Sequence, residues 1–324
     1  MTDEGDELIL EAASLYYEQE LTQAEIASRL STSRSTISRL LKAARAKGLV
    51  EITIHRPWAR HSQLEARLRS EFGLRDARVL RAGEQSAPEV LDGVGMLAAK
   101  YLEGVIREGM ILGVSYGRSI AATIRHINPV RQLDLVVVQL LGALGSDNPL
   151  IEGATLTRDL AAKFGGAYRY LYAPLMVKDA RTRDQLLQEP LVEDVLAVGR
   201  QADIALVGIG ALGDEAPSMI YRGHLDRTDV ARLRAQGAVG NLCAQFFDAN
   251  GKLLDTDLNR LSVSIGLEGL KRIGMVVAAV SGVQKAAAVL GALRGGYIDV
   301  LVIDDKAVDR LLIQAGIETP GVPG

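Results

Sequence analysis

The apolar positions of this chain change their period at about residue 74. Before that point they recur every three or four residues, the spacing of one helical face. Leu8, Ala12 and Leu15, with Ile9, Ala13 and Tyr16, make the inward side of a helix over Asp6–Glu20. Ala24, Ala27 and Leu30 mark a second helix over Gln23–Leu30. Ser31-Thr32-Ser33 is a turn, and the Ser33 hydroxyl suits an N-cap because it can accept from an orphan N–H of the next turn. Ile37, Leu40, Leu41 and Ala44 form one stripe on a helix over Arg34–Lys47. Leu49–His55 then alternates Val50, Ile52 and Ile54 with Glu51 and Thr53, a strand pattern.

The polar residues give the third helix its meaning. Opposite its apolar stripe lie Ser35, Ser38, Arg39 and Lys42, flanked by Arg34 and Thr36. Hydroxyls and cations on one helical face suit a DNA major groove, where arginine can pair bidentately with guanine. Between Ser28 and Gly48 there are six basic residues and no acid, inside a chain of net charge −3, so the positive field is local. A solvated basic helix is the plainer alternative. The small Ala27 at the crossing, the tight turn and the anchors Ile37 and Leu40 favour a helix-turn-helix with a wing strand. The expected DNA-reading set is Gln23, Ser33, Arg34, Ser35, Thr36, Ser38, Arg39 and Lys42.

His55-Arg56-Pro57-Trp58 is a boundary, since proline interrupts both helix and strand pairing. His61–Phe72 carries a narrow stripe, Leu64, Leu68 and Phe72, fit to pack on the next domain or on a second subunit. Beyond Leu74, short β-rich runs alternate with helical ones. Strands are expected over Ala77–Leu80, Met110–Val114, Asp134–Leu140, Tyr168–Tyr172, Asp203–Ile209, Gly240–Phe247, Gly274–Val280 and Val300–Ile303. Alternation with helices predicts a mostly parallel sheet covered on both faces, with ligands beyond the carboxyl ends of the strands.

Composition narrows the class. With 324 residues, two domains or more are expected, and 48% hydrophobic residues suffice for a sizeable core. A single cysteine, Cys243, permits neither an internal disulfide nor a multi-cysteine metal site, which fits a reducing cytoplasm. No apolar run is long enough to span a membrane, and the acidic N-terminus is not a signal peptide.

Candidate chemistry lies at the strand ends. Ser115-Tyr116-Gly117-Arg118-Ser119, between a strand and a helix, offers backbone N–H groups, a helix N-terminus and a cation to an anion; an ordinary tight turn is the alternative. Leu141–Ser146, with Gly142, is another small-residue loop. Gly208-Ile209-Gly210-Ala211-Leu212-Gly213 matches G-x-G-x-x-G, but Asp214-Glu215-Ala216-Pro217 follows where a dinucleotide fingerprint needs a helix. Lys285 falls in the first turn of a helix, where a cation gains nothing from the helix dipole; it serves either an anionic ligand or the solvent.

The segments LTQAEIASRLSTSRSTISRLLKAARAKGLVEI, LGVSYGRSI, ALVGIGALG, AVGNLCAQFFDANGKLLDTDLNRL and AVSGVQKAAAVLGALRGGYIDVLVIDD resemble those of SorC-type (SorC/DeoR) transcriptional regulators. They cover nearly all of residues 8–315 in family order. The resemblance implies an operator-binding N-terminal module and a C-terminal α/β domain similar to ribose-5-phosphate isomerase and glucosamine-6-phosphate deaminase. That domain would bind a phosphorylated sugar as effector, in a dimer or tetramer. By motif, Ser115, Gly117, Arg118 and Ser119 would hold the phosphate, with Tyr116 where an aromatic is usual. Gly282 and Lys285 match the Gly-x-x-Lys element, and Asn241 stands where aspartate is common. Gly142, Gly208 and Gly210 complete the expected effector set, with Asp255 and Asn259 ranked below it.

The expected fold class is therefore α/β, a winged helix-turn-helix joined to a mostly parallel sheet domain. Residues 1–56 are assigned to the DNA-binding module, 57–73 to a linker or oligomerisation helix, and 74–318 to effector binding and oligomerisation. The expected partners are double-stranded operator DNA, a phosphorylated sugar and further copies of the chain, without a membrane, a metal or a cofactor. The function expected is a cytoplasmic regulator, a repressor rather than an enzyme; the alternative is a sugar-phosphate isomerase or deaminase carrying a DNA-binding domain. Of the histidines, His55, His61, His126 and His224, none directly follows a strand end, which leaves carboxylates for any proton transfer.

Overall fold

The computed structural model describes residues 4–19, 21–50, 59–145, 149–212 and 225–318. The chain divides into two compact units, residues 1–57 and 58–324.

Among the described residues the smaller unit holds three helices, α1 (Glu4–Tyr17), α2 (Gln23–Arg29) and α3 (Arg34–Ala46). Thr22 and Glu25 cap α2 reciprocally: the Glu25 N–H donates to Thr22 Oγ1 at 3.3 Å and the Thr22 N–H to Glu25 Oε2 at 2.8 Å. Ser31 takes φ 50° in the turn, a left-handed value that few side chains adopt. Ile9, Ala13, Leu15, Ile26, Ala27, Ile37, Leu41 and Ala44 form the core. The expected anchor Ala24 is exposed and Leu30 only half-buried. Ile26 takes that place because the larger side chain, next to Ala27, removes more apolar surface from water. The wing strand beyond Val50 and the boundary at 55–58 lie outside the described residues.

In the larger unit seven strands form one parallel sheet: β1 (Asp76–Leu80), β2 (Ile111–Val114), β3 (Val136–Gln139), β4 (Ala167–Arg169), β5 (Ile204–Val207), β9 (Val276–Ala279) and β10 (Val300–Asp304). Their spatial order is β1-β10-β9-β5-β2-β3-β4. Alternate residues of each inner strand enter different cores: Val300 and Val302 face α5 (Ala87–Val105), α6 (Arg118–His126) and α7 (Gly153–Phe164). Leu301 and Ile303 pack with α9 (Pro190–Arg200), α13 (Ala286–Arg294) and α14 (Asp305–Gln314). Burial on both faces explains the unbroken apolar strands.

One open alternative is decided and two expectations change. Helix α4 (Ser62–Phe72) buries Leu64 and Leu68 in the larger unit's own core, so its narrow stripe is spent on β1. The single strand expected over Gly240–Phe247 is a hairpin, β7 (Ala238–Leu242) and β8 (Gln245–Asp248). Its two turn residues, Cys243 and Ala244, have φ 46° and 62°. Such turns normally announce themselves with Gly or Asn, which this one lacks. The hairpin joins β6 (Gly210–Ala211) in a second, antiparallel sheet. That strand begins on Gly210, the second glycine of the G-x-G-x-x-G run, so no helix opens there; Gly213–Pro217 lie outside the described residues. Helices α8 (Ala180–Gln188) and α11 (Asp257–Leu261), capped by Asp179 and Thr256, were not expected from the periodicity. The remaining helices are α10 (Arg227–Ala235) and α12 (Gly266–Leu270).

Candidate functional site

In the smaller unit, α3 presents Arg34, Ser35, Arg39 and Lys42 exposed, with Thr36, Ser38 and Gln23 half-buried. Ser33 serves the cap: its Oγ accepts from the Thr36 N–H at 3.1 Å and lies 2.8 Å from Ser35 Oγ and 2.9 Å from Thr36 Oγ1. Arg39 Nη2 reaches Thr36 Oγ1 at 3.5 Å. Arg45 donates to the Tyr17 hydroxyl at 2.8 and 3.0 Å, and Lys47 pairs with Asp6. Two of the six cations thus tie α3 to α1. Arg29, Arg34, Arg39 and Lys42 make no ion pair among the described residues.

In the larger unit the chain runs β2-β3-β4 towards one edge, then returns to β5 beside β2 and proceeds through β9 and β10 towards the other. The connections leaving β2 and β5 diverge, and such a switch point opens a crevice at the carboxyl ends. The Gly208 N–H donates to Ser115 Oγ at 3.2 Å across it. Gly117, at φ 119°, leads into α6, which no side chain caps, so its first-turn N–H groups and the exposed Arg118 face the same region. Ser119 is buried in that turn. From β9 the chain passes through Gly282, at φ 105°, whose N–H donates to Asp304 Oδ2 at 2.8 Å. Lys285 Nζ donates to the Ile209 carbonyl at 2.8 Å. Burial, and then the charge of Arg118, push the lysine down to about 8. Asn241 on β7 lies opposite Gly210 on β6 and is 4% exposed. The Tyr116 phenol is buried; burial foremost, then Cys243 and Glu152, hold its pKa above the usual value.

These contacts bring Ser115, Tyr116, Gly117, Arg118, Ser119, Gly208, Gly210, Asn241, Gly282 and Lys285 into one neighbourhood. Gly142 does not join them. Its N–H donates to the Val263 carbonyl at 2.9 Å, and a Cβ there would lie 2.4 Å from the Pro174 carbonyl oxygen, so it is a packing glycine with no N–H to offer. Asn259 is spent on structure: it accepts from the Phe246 N–H at 2.7 Å and donates to the Phe246 and Leu254 carbonyls. Asp255 pairs with Arg260. Two contributors escaped the sequence reading, the Ile209 carbonyl and Asp304. A main-chain acceptor leaves no mark in a sequence, whereas Asp304, just before a helix, carried an N-cap signal.

A model of the Sugar-bind family, a sugar-binding domain, matches residues 56–313, and a MarR-family model matches residues 13–60. The sorbitol operon regulator of Klebsiella pneumoniae is 31% identical over 311 residues, covering 94% of this chain and 97% of that protein. The chain belongs to the SorC family. The deoxyribonucleoside regulator of Bacillus subtilis is 30% identical, covering 96% of this chain and 99% of its own length. The crystal structure of full-length SorC from Klebsiella pneumoniae superposes with a TM-score of 0.72 at 30% identity, covering 94% of this chain and 98% of that one. This SorC-family chain is thus a transcriptional regulator with a helix-turn-helix and a sugar-binding domain. Among the described residues no helix is long and apolar enough to cross a membrane.

Proposed function

We propose that this SorC-family chain is a cytoplasmic repressor whose affinity for operator DNA is set by a phosphorylated sugar. The observation that carries the reading is the meeting, at the β2/β5 switch point, of the uncapped start of α6 with Arg118 and Lys285. A helix N-terminus and two cations suit a phosphate. The neutral groups beside them, Asn241 and Tyr116, suit a sugar. Ser115, Gly117 and Ser119 frame the phosphate, and Gly208, Gly210 and Gly282 keep the neighbouring loops close.

The DNA is read by Gln23, Arg34, Ser35, Thr36, Ser38, Arg39 and Lys42, with Ser33 holding the helix start. A module of this size gains affinity by pairing across two half-sites, which favours a dimer or tetramer. Residues 1–56 bind DNA, 57–73 connect, and 74–318 bind effector and carry the oligomer contacts. Regulation rather than catalysis is supported by the described histidines. His126 bonds Asp92 at 2.9 Å at the far end of α6, and His61 precedes α4.

The test is a fluorescence-anisotropy titration against the chain's own upstream DNA at fixed salt, with phosphorylated sugars and their unphosphorylated parents. A phosphorylated compound that lowers DNA affinity while its parent does not is the expected result. Turnover of such a compound to an isomer would overturn the regulatory reading.

A further inference from the structure

The seven-stranded sheet ends differently at its two edges. The β1 edge is closed. Arg60 bridges Leu80 in the antiparallel sense, and the His61 and Arg81 N–H groups each donate at 2.8 Å, to the Val79 and Ala59 carbonyls. The β4 edge is open: no strand among the described residues pairs with its outer side. Its main chain shows which groups are left over. The Ala167 N–H donates to the Leu135 carbonyl at 2.9 Å, in register with Val136. Successive residues of a strand point their main-chain groups to opposite sides, so Ala167 and Arg169 face β3 while Tyr168 turns its N–H and C=O outward. Leu171 keeps this phase, its N–H donating to Gln139 Oε1 at 3.4 Å, which turns Tyr170 outward too.

The side chains of this edge are aromatic. Tyr168, Tyr170 and Tyr172 share one face by the period of two. Their ring centroids follow at 4.8 and 6.0 Å. Tyr168 is 47% exposed and Tyr172 73%. Aromatic residues are only 4% of the chain, so three tyrosines in five residues at the open edge are a marked concentration. Beside them a hollow of about 430 Å³ opens between Tyr170, Tyr172, Ala143, Ala154 and Pro174. Edges that must stay single are kept short and charged. This edge is short and carries Arg169, but its exposed rings are the side chains that interfaces favour.

We propose that the β4 edge joins two copies of this chain, paired antiparallel about a two-fold axis so that the sheet continues from one subunit into the other. The proposal rests on the oligomer reading above and gives it a surface. A two-fold axis needs a surface that complements itself, and the register decides whether this one does. Centred on Arg169, the pairing would set two guanidiniums opposite each other, a destabilising like-charge pair. Centred on Tyr168, it would need Gly166, whose N–H already donates to the Ala161 carbonyl at 3.0 Å. Centred on Tyr170, each Tyr170 exchanges N–H and C=O with its own copy. Tyr168 then meets Tyr172 of the partner subunit, and Arg169 meets Leu171 of the partner subunit. Every ring has a ring opposite, and no charge meets its like.

The experiment is sedimentation of the full chain over a range of concentrations, for the wild type, Tyr172→Glu and Tyr168→Pro. Mild oxidation of Tyr170→Cys and Tyr168→Cys tests the register. Proline at 168 removes only an outward N–H, which an edge strand tolerates. The two-fold repeats each change, so Tyr172→Glu is expected to weaken association by about tenfold or more. The native Cys243 is buried and stays out of the oxidation. Facing residues at position 170 would lie about 5.5 Å apart at Cα, within reach of a disulfide, and those at 168 well beyond it. Tyr170→Cys is therefore expected to form a covalent dimer and Tyr168→Cys to remain a single chain. If one sedimentation variant does not fold, the other carries the comparison. Wild-type sedimentation in the folded variants overturns the proposal. So does a Tyr170→Cys that fails to cross-link, or a Tyr168→Cys that cross-links as readily. A wild type that stays monomeric throughout removes the oligomer reading and the proposal with it, whereas a wild-type oligomer indifferent to the edge variants removes the proposal alone.

Discussion

On the proposed function, Lys285 should make effector binding depend on pH, with affinity falling as the pH rises. Its ammonium donates to Ile209 O at 2.8 Å beside Arg118, and burial with that neighbouring charge lowers its pKa from 10.5 to about 8. Such a shift corresponds to about 3 kcal/mol at most. In the free protein the penalty is fully present below pH about 8 and is relieved as the pH rises towards 10.5, where the unfolded chain still holds a proton that the folded one has lost. A bound phosphate favours the charged lysine and raises its pKa again. Affinity is therefore highest below about 8 and falls as the pH rises through it. The fall is limited to roughly 300-fold, reached if the ligand restores the ordinary lysine value. The phosphate's own second ionisation, near about 6, weakens binding on the acid side. The expected profile is a bell with its top between about 6 and about 8. Calorimetry in buffers of different ionisation heat measures both the affinity and the protons taken up. Lys285→Met should lose the alkaline limb and keep the acid one. A wild-type affinity flat from about pH 7 to about pH 10, or an identical decline in Lys285→Met, refutes the reasoning.

Arg39→Ala should weaken operator binding by about 1–3 kcal/mol and flatten its salt dependence, as read by anisotropy. Arg118→Ala should weaken sugar-phosphate binding by about 1.5–3 kcal/mol while operator affinity without effector stays within about twofold; loss of DNA binding would place the loop in the fold or an interface instead. Gly251→Ala should cost upwards of about 2 kcal/mol in urea denaturation, since its φ is +79° and a Cβ would lie 2.3 Å from the Gly295 backbone. Ser31→Gly should raise the stability of the smaller unit by about 1 kcal/mol, because serine pays for its left-handed turn conformation and glycine does not.

The parallel sheet was legible because a strand buried on both faces must be apolar throughout, as Val136, Val137 and Val138 are. The strand–loop–helix at Ser115–Ser119 was legible because small residues mark the turn between an apolar strand and a helix. Other features hid for definite reasons. The hairpin at Cys243–Ala244 breaks no hydrophobic run and uses no glycine. Ile26 was passed over because α2 is only seven residues long, too short for a stripe to declare its centre. Gly142 looked like its neighbours in composition, and only its contact with Pro174 reveals it as packing. Asn241 could be placed by motif, but its amide nitrogen, without a partner among the described residues, is buried only once β6 has been laid against β7.

The clamp where residues 59–61 join β1 acquires a consequence from the strand order. Arg60 grips the buried Glu65 through Nε and Nη2, at 2.8 and 2.6 Å, while the His61 and Arg81 N–H groups donate to the Val79 and Ala59 carbonyls. Residues 59–61 are therefore fastened to one flank of the sheet, the β5-β9-β10-β1 flank, which also carries the Gly208 and Gly282 loops. The Ser115–Ser119 loop belongs to the opposite flank. Under the proposed function, a ligand held by both rims would act as a keystone: it would fit one opening of the β2/β5 seam better than another, and only that difference would be available for control. Arg60, fixed on Glu65, would then move with the β5-β9-β10-β1 flank.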